Sequence, residues 1–136
     1  MFIVVDASVW VSRLVSDDAF HELIKDWMAS QREQGTELVS PFLLLVEVGG
    51  AISRKTGIPE LGLNAVKQVE NLPGVRLVEM DNSLLKDAAN LAAELGLRGA
   101  DATYVATAAR LNLPMVTLDK DQRERASKRI KILNVI

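Results

Sequence analysis

The chain of 136 residues contains no cysteine and one histidine, His21. Without thiols there is no disulfide framework, no thiolate zinc site and no cysteine nucleophile, and a single imidazole cannot build a multi-histidine metal site. A Ser-His-Asp triad would have to run through His21. Aromatic side chains make up only 4% of the chain, so its core must be aliphatic, and 49% apolar residues are enough to fill one. No apolar run approaches the roughly 18 residues of a membrane span. The opening Met1-Phe-Ile-Val-Val-Asp6 lacks the basic start of a secretory signal, so the expected setting is the cytoplasm with no membrane partner. Basic charge is not in excess either: 16 Lys and Arg against 18 Asp and Glu leave a formal −2, which disfavours a plain basic nucleic-acid binder. That balance still admits an enzyme that gathers acid around divalent cations, because bound cations invert the local field. With no linker, repeat or low-complexity tract, residues 1–136 read as one domain.

What is present is an alternation of two periods. Phe2 to Val5 is a continuous apolar run ended by Asp6, the profile of a strand buried on both faces. Glu37 to Ser40, Val75 to Met80 and Met115 to Leu118 read as further strands, and Ile130 to Ile136 as a closing edge strand. Helical spacing predicts a helix over 19–31, with Asp17 or Asp18 as its cap, and an apolar, buried helix over 41–55. Further helices are predicted over 61–71, 83–95, 101–111 and, short and basic, 121–128. Trp10, Trp27, Met28 and Phe42 are expected in the core and His21 at the surface. Strands alternating with helices imply right-handed crossovers and an α/β fold: a three-layer α/β/α sandwich on a mostly parallel sheet of about five strands.

Four acids stand out from the solvated majority. Asp6 follows the first strand, Asp119 follows the fourth, Asp101 opens a helix, and Glu47 interrupts Leu43-Leu44-Leu45-Val46-Glu47-Val48-Gly49-Gly50-Ala51. Asp6, Asp101 and Asp119 each also suit a helix N-cap. Glu47 has Leu43, Leu44, Gly50 and Ala51 as its helical neighbours, so no local cation meets it. A buried carboxylate without a partner costs several kcal/mol or titrates to neutrality, so a distant arginine or a shared metal ion must answer it.

In open parallel sheets ligands bind beyond the carboxyl ends of the strands, where strand order reverses. If the first strand is central with the fourth beside it, Asp6 and Asp119 enter one crevice, and the helices carrying Asp101 and Glu47 reach it. Like charges that close require a cation, and oxygen ligands suit Mg²⁺ or Mn²⁺. Such a centre can activate water against a phosphodiester without any side-chain base.

Val-Val-Asp6-Ala-Ser8-Val-Trp, Leu-Leu-Val-Glu47-Val, Gly-Ala-Asp101-Ala-Thr-Tyr104-Val-Ala-Thr-Ala and Leu-Pro-Met-Val-Thr117-Leu-Asp119 resemble, in order and spacing, the successive motifs of the PIN-domain ribonuclease family. Among its members the chain is most similar to the short VapC-type toxins of prokaryotic toxin–antitoxin pairs. The resemblance implies Asp6, Glu47, Asp101 and Asp119 as catalytic, metal-binding acids, with Ser8 and Thr117 as supporting hydroxyls. It implies Mg²⁺- or Mn²⁺-dependent endonucleolytic cleavage of RNA, a homodimer, and a small antitoxin that silences the toxin. The alternatives are a role in RNA processing, or a catalytically weak module that binds RNA or protein.

Ser8 can hydrogen-bond a metal-bound water or a phosphate oxygen, or cap the first helical turn. Asp121 is either a fifth carboxylate or a cap. Tyr104 either stacks on a base or packs along its helix. Arg98, Lys120, Arg123 and Arg125 flank the acids and are candidate contacts for RNA phosphates. Three rival functions lack a needed residue. A haloacid-dehalogenase-type phosphotransferase needs a second aspartate where Ser8 stands. A receiver domain needs an acidic pair after the first strand, and an Asp-x-Ser-x-Ser adhesion module fails at Trp10.

Overall fold

The structure is a computed structural model that describes residues 1–135. The apolar opening forms β1 (Phe2–Val5), whose last three residues are buried, as a strand covered on both faces requires. Beside it lie β2 (Glu37–Pro41) on one edge and β4 (Met115–Val116) on the other, with β3 (Val75–Val78) outside β2. All three pairings are parallel, and Val4 faces Val39 on one side and Met115 on the other. The chain thus moves outward from β1 through β2 to β3, then returns past both to β4. The reversal falls between β1 and β4, which makes the crevice above these two strands the topological switch point.

Seven helices cover the sheet: α1 (Ala7–Leu14), α2 (His21–Glu33), α3 (Leu43–Thr56), α4 (Pro59–Asn71), α5 (Asn82–Leu95), α6 (Gly99–Leu111) and α7 (Lys120–Ala126). Helix α1 packs on α2 and α3, and α3 packs on α4, while α5 packs on α6, which lies against β1 and β2. Right-handed crossovers in opposite directions place these two groups on opposite faces, giving the expected three layers. The core is aliphatic apart from Trp10 and Tyr104, both fully buried. Trp10 Nε1 donates to Ser40 Oγ at 3.2 Å, and Ser40 Oγ donates to the Val5 carbonyl at 2.6 Å, so these two buried side chains are satisfied. Helices α3 and α4 cross so closely that a methyl group on Gly62 would stand 2.7 Å from the Gly49 carbonyl oxygen, and only glycine fits there.

Several elements differ from the sequence reading. Helix α1 has no counterpart in the periodic pattern, because Val9-Trp10-Val11 carries two β-branched residues in a segment of only eight. It is held instead by its Asp6 cap and by burial of Val9 and Trp10. Strand β4 stops at Val116, not Leu118, because the next amides turn to side chains: Leu118 N–H to Ser8 Oγ at 3.0 Å and Asp119 N–H to Thr117 Oγ1 at 3.1 Å. A two-residue strand offers little edge, and the expected fifth strand contracts to one parallel bridge between Met115 and Ile132; Ile136 lies outside the described residues. Strand β3 likewise ends at Val78, short of Met80. Pro41 belongs to β2, since Phe42 N–H continues the ladder to the Val78 carbonyl at 3.0 Å, and the helix begins only at Leu43.

Helix α3 is not buried all round. Its apolar sequence would need cover on every side, yet Val46 is 70% exposed and Phe42, just before it, 46%, so Phe42 is not core. His21 in turn is not a free surface residue: its Nδ1 lies 3.0 Å from the Ser12 carbonyl oxygen. Asp18 accepts from Ser12 Oγ at 2.6 Å and from the Phe20 amide at 2.9 Å, which joins α1 to the start of α2. The Ser12 hydrogen bond holds the Asp18 carboxyl below the usual carboxylate range. Among the described residues no helix is long and apolar enough to cross a membrane.

Candidate active site

Asp6 directly follows β1 at the switch point and is buried, 4% exposed. Its Oδ2 accepts from the Ser8 amide at 3.1 Å, from Ser8 Oγ at 2.6 Å and from Thr117 Oγ1 at 3.1 Å. The Thr117 hydroxyl also lies 3.0 Å from Gln122 Oε1, while Gln122 Nε2 reaches Asp6 Oδ1 at 3.4 Å. These side chains stitch the ends of β1 and β4 to the first turn of α7. Asp6 is at once the N-cap of α1 and the centre of this network.

Asp119 divides its oxygens in the same way. Oδ1 caps α7 by accepting the Gln122 amide at 3.1 Å, and Oδ2 faces Arg98 Nη2 at 2.7 Å. Asp101 is not a cap: it is the third residue of α6, whose N-cap is Arg98, and its Oδ2 accepts from Arg98 Nε at 3.2 Å. Arg98 therefore spans two acids that lie 18 residues apart in the chain. Glu47 projects from α3, half-buried, and its Oε1 accepts from Tyr104 Oη at 2.6 Å. The partner that the sequence required for Glu47 is thus a neutral hydroxyl and not a distant arginine. Tyr104 lies on the Asp101 face of α6. It is fully buried, so it neither presents a ring to a base nor merely packs.

The acids perturb one another. Burial raises the Glu47 carboxyl above its ordinary range, and Asp6 and Asp101 push it the same way against the Tyr104 hydrogen bond. Asp101 is raised first by burial and then by Asp6, with Arg98 opposing. Burial, and then Glu47, push the Tyr104 phenol far above its usual range, so it remains a donor. Four carboxylates from β1, α3, α6 and the start of α7 thus act in one field beside a single bridging guanidinium.

Ser8 and Thr117 lie inside the network, both hydroxyls donating to Asp6 Oδ2. Asp121 is exposed and takes Arg125 Nε at 3.0 and 3.1 Å. Lys120 is exposed at the start of α7. Arg123 is partly buried: its Nη2 donates to the Thr117 carbonyl at 3.3 Å, and its Nε has no partner among the described residues. Arg125 Nη1 also donates to the Leu95 carbonyl at 3.2 Å. Sequence reasoning missed Gln122, which is 1% exposed and joins Asp6 to Thr117. Its only signal was an uncharged amide within the otherwise charged Lys120-Asp-Gln-Arg-Glu-Arg125.

The donor set is wholly oxygen and short of positive charge, which suits a hard divalent ion held by Asp6, Glu47, Asp101 and Asp119. Among the described residues no three acids are already gathered closely enough to share one ion, and Arg98 stands between two of them. A cavity of about 390 Å³ lies elsewhere, at the starts of β2 and β3, lined by Trp10, Met28, Leu38 and Val69 among others. None of the four acids lines it, and its largely apolar wall offers no comparable chemistry.

No curated protein matches the chain in sequence. Among solved structures it is similar to Mycobacterium tuberculosis VapC20, a sarcin-ricin loop cleaving toxin, with a TM-score of 0.79 and 20% identity over 97% of this chain and 99% of that one. It is also similar to the DNA-bound VapBC of Salmonella typhimurium (TM-score 0.75, 16% identity, 100% and 99% covered) and to the DNA-bound VapBC2 of Rickettsia felis (0.74, 12%, 98% and 98%). At these identities the likeness establishes the fold. The PIN domain model itself matches residues 3–128, nearly the whole sequence, and the chain therefore belongs to the PIN-domain family.

Proposed function

We propose that this protein is a divalent-metal-dependent endoribonuclease and the toxin of a toxin–antitoxin pair. The observation that carries the reading is the mutual electrostatic influence of Asp6, Glu47, Asp101 and Asp119 near the switch point of a PIN fold, with Arg98 the one basic residue bonded to any of them among the described residues. A bound Mg²⁺ or Mn²⁺ would supply Lewis-acid activation of water and neutralise charge on the scissile phosphate. The chain's own residues do the positioning. Ser8, Thr117 and Gln122 fix Asp6, and Tyr104 aims Glu47 while donating its proton. The half-buried setting of Glu47 and Asp101 limits access of bulk water. Arg98 and Lys120 lie at the exposed rim, where an RNA backbone would pass.

The toxin assignment rests on likeness to VapC20 and to two VapBC complexes along essentially the full chain. A small antitoxin, a homodimer and a cytoplasmic setting belong to the same reading, and the exposed Phe42, Val46 and Leu63 provide apolar surface for protein partners.

Incubation of the purified protein with single-stranded RNA tests the activity. Cleavage is expected with Mg²⁺ or Mn²⁺ and is abolished by chelator and by Asp6→Asn; cleavage that persists in excess chelator overturns the metal mechanism. A short reading frame encoding a DNA-binding antitoxin is expected immediately upstream, and its absence favours an RNA-processing role instead.

A further inference from the structure

Arg98 is the only basic residue that the described structure bonds to any of the four acids, and its place is unusual. Its guanidinium bridges Asp101 Oδ2 and Asp119 Oδ2, at 3.2 and 2.7 Å, from an N-cap position whose side chain is 74% exposed. Its bonds involve Nε and Nη2 and reach neither Asp6 nor Glu47. The two acids it bridges have side chains 18% and 28% exposed, whereas Asp6 is only 4% exposed. Two consequences follow. A single positive charge cannot balance four carboxylates. An exposed ion pair is also weakly held, since solvent screens it and ordering a long side chain opposes it.

We propose, resting on the metal-dependent reading above, that Arg98 is an exchangeable internal counter-cation. It holds Asp101 and Asp119 together when no divalent ion is bound, yields both carboxylates when one binds, and is then free at the rim to take an RNA phosphate oxygen. The weak, exposed tether makes the exchange inexpensive, and the backbone of Arg98, fixed at the start of α6, keeps the released guanidinium beside the site. Metal loading and readiness for the RNA backbone thereby become one event. Arginine suits the role better than lysine because its planar fork reaches two carboxylates at once.

The test uses Mg²⁺ alone, without RNA. In the chelator-treated protein the Arg98 Nε–Hε NMR signal, assigned by its loss in Arg98→Lys, is expected to be sharp and protected. Titration with Mg²⁺ should move it to the solvent-exchanging position of a free guanidinium, in step with the Asp101 amide. By calorimetry Arg98→Ala should bind Mg²⁺ about two- to fivefold more tightly than the unaltered protein. Arg98→Lys should also bind more tightly, because it keeps the charge but loses the bridge. An Arg98 signal that stays in place while the Asp101 amide saturates overturns the exchange, as does an Arg98→Lys affinity equal to that of the unaltered protein. If the unaltered protein binds no Mg²⁺ at all, the metal-dependent reading falls and this inference falls with it.

Discussion

The two ends of helix α6 carry the same device in different surroundings. At its start Arg98 bridges Asp101 and Asp119; near its end Arg110 bridges Asp87 at 2.9 Å and Asp81 at 3.5 Å, with Ser83 Oγ also at 2.9 Å. The carboxyls respond in opposite directions. Asp81 is lowered, first by the Leu84 amide it caps and then by Arg110, whereas Asp101 is raised. Arg110 answers two exposed acids, while Arg98 stands before two further carboxylates, one of them buried. An arginine between two aspartates is therefore no mark of function; the excess of acid behind it is.

The largest effect that could break this contrast is on activity. Asp101→Asn is expected to cut RNA cleavage by more than the roughly 10–100-fold that losing an outer-shell partner costs a metal site. Asp87→Asn, its counterpart at the other end, should leave the rate within about twofold, as expected of a surface change. Equal losses in a cleavage assay would erase the distinction. Next in size, Tyr104→Phe should weaken Mg²⁺ binding about tenfold by freeing Glu47, measured by calorimetry. An unchanged affinity would return Tyr104 to a packing role.

A smaller effect concerns pH. Glu47 and Asp101 have folded pKa values above their unfolded ones, so the folded chain binds more protons and their contribution to stability declines as pH rises through the raised values. Asp81, being lowered, acts oppositely and only below the ordinary carboxylate range. Melting temperatures of chelator-treated protein should therefore rise as pH falls toward that range, and Glu47→Gln should flatten the rise. An identical profile in Glu47→Gln would show that the acids do not share one field. The smallest change expected is in Arg110→Gln: a slight loss of melting temperature, with Mg²⁺ affinity unaltered.

Much of this was legible in the residues. The apolar run into Asp6 located the end of one strand and the Met115–Asp119 stretch located another strand, though not its end, and parallel-sheet topology placed the two side by side. Glu47 betrayed itself by sitting in an apolar stretch with no cation within a helical turn. What the residues concealed was local. Periodicity could not show α1, since its stability comes from the Asp6 cap and from contacts made only in the fold. Nor could it show that the Leu118 and Asp119 amides leave the strand for hydroxyls, or that Tyr104 and Gln122 hold the acids, because those pairings span 57 and 116 residues. The bridge made by Arg98 to Asp119 was hidden for the same reason, and the sequence marked Arg98 only as a candidate contact for RNA phosphates.

Asp6 and Asp119 each hold a helix start as well as belonging to the proposed site, so they cannot be probed cleanly by alanine. Truncation would fray α1 or α7, at about 0.5–2 kcal/mol per lost cap, and a dead enzyme could then simply be a loosened one. Asparagine caps about as well as aspartate but carries no charge. The difference between the two replacements at one position thus separates the architecture of the strand end from its chemistry. The same coupling constrains sequence drift: at either position a residue that gave up the proposed chemistry would still be held to a side chain that can cap a helix.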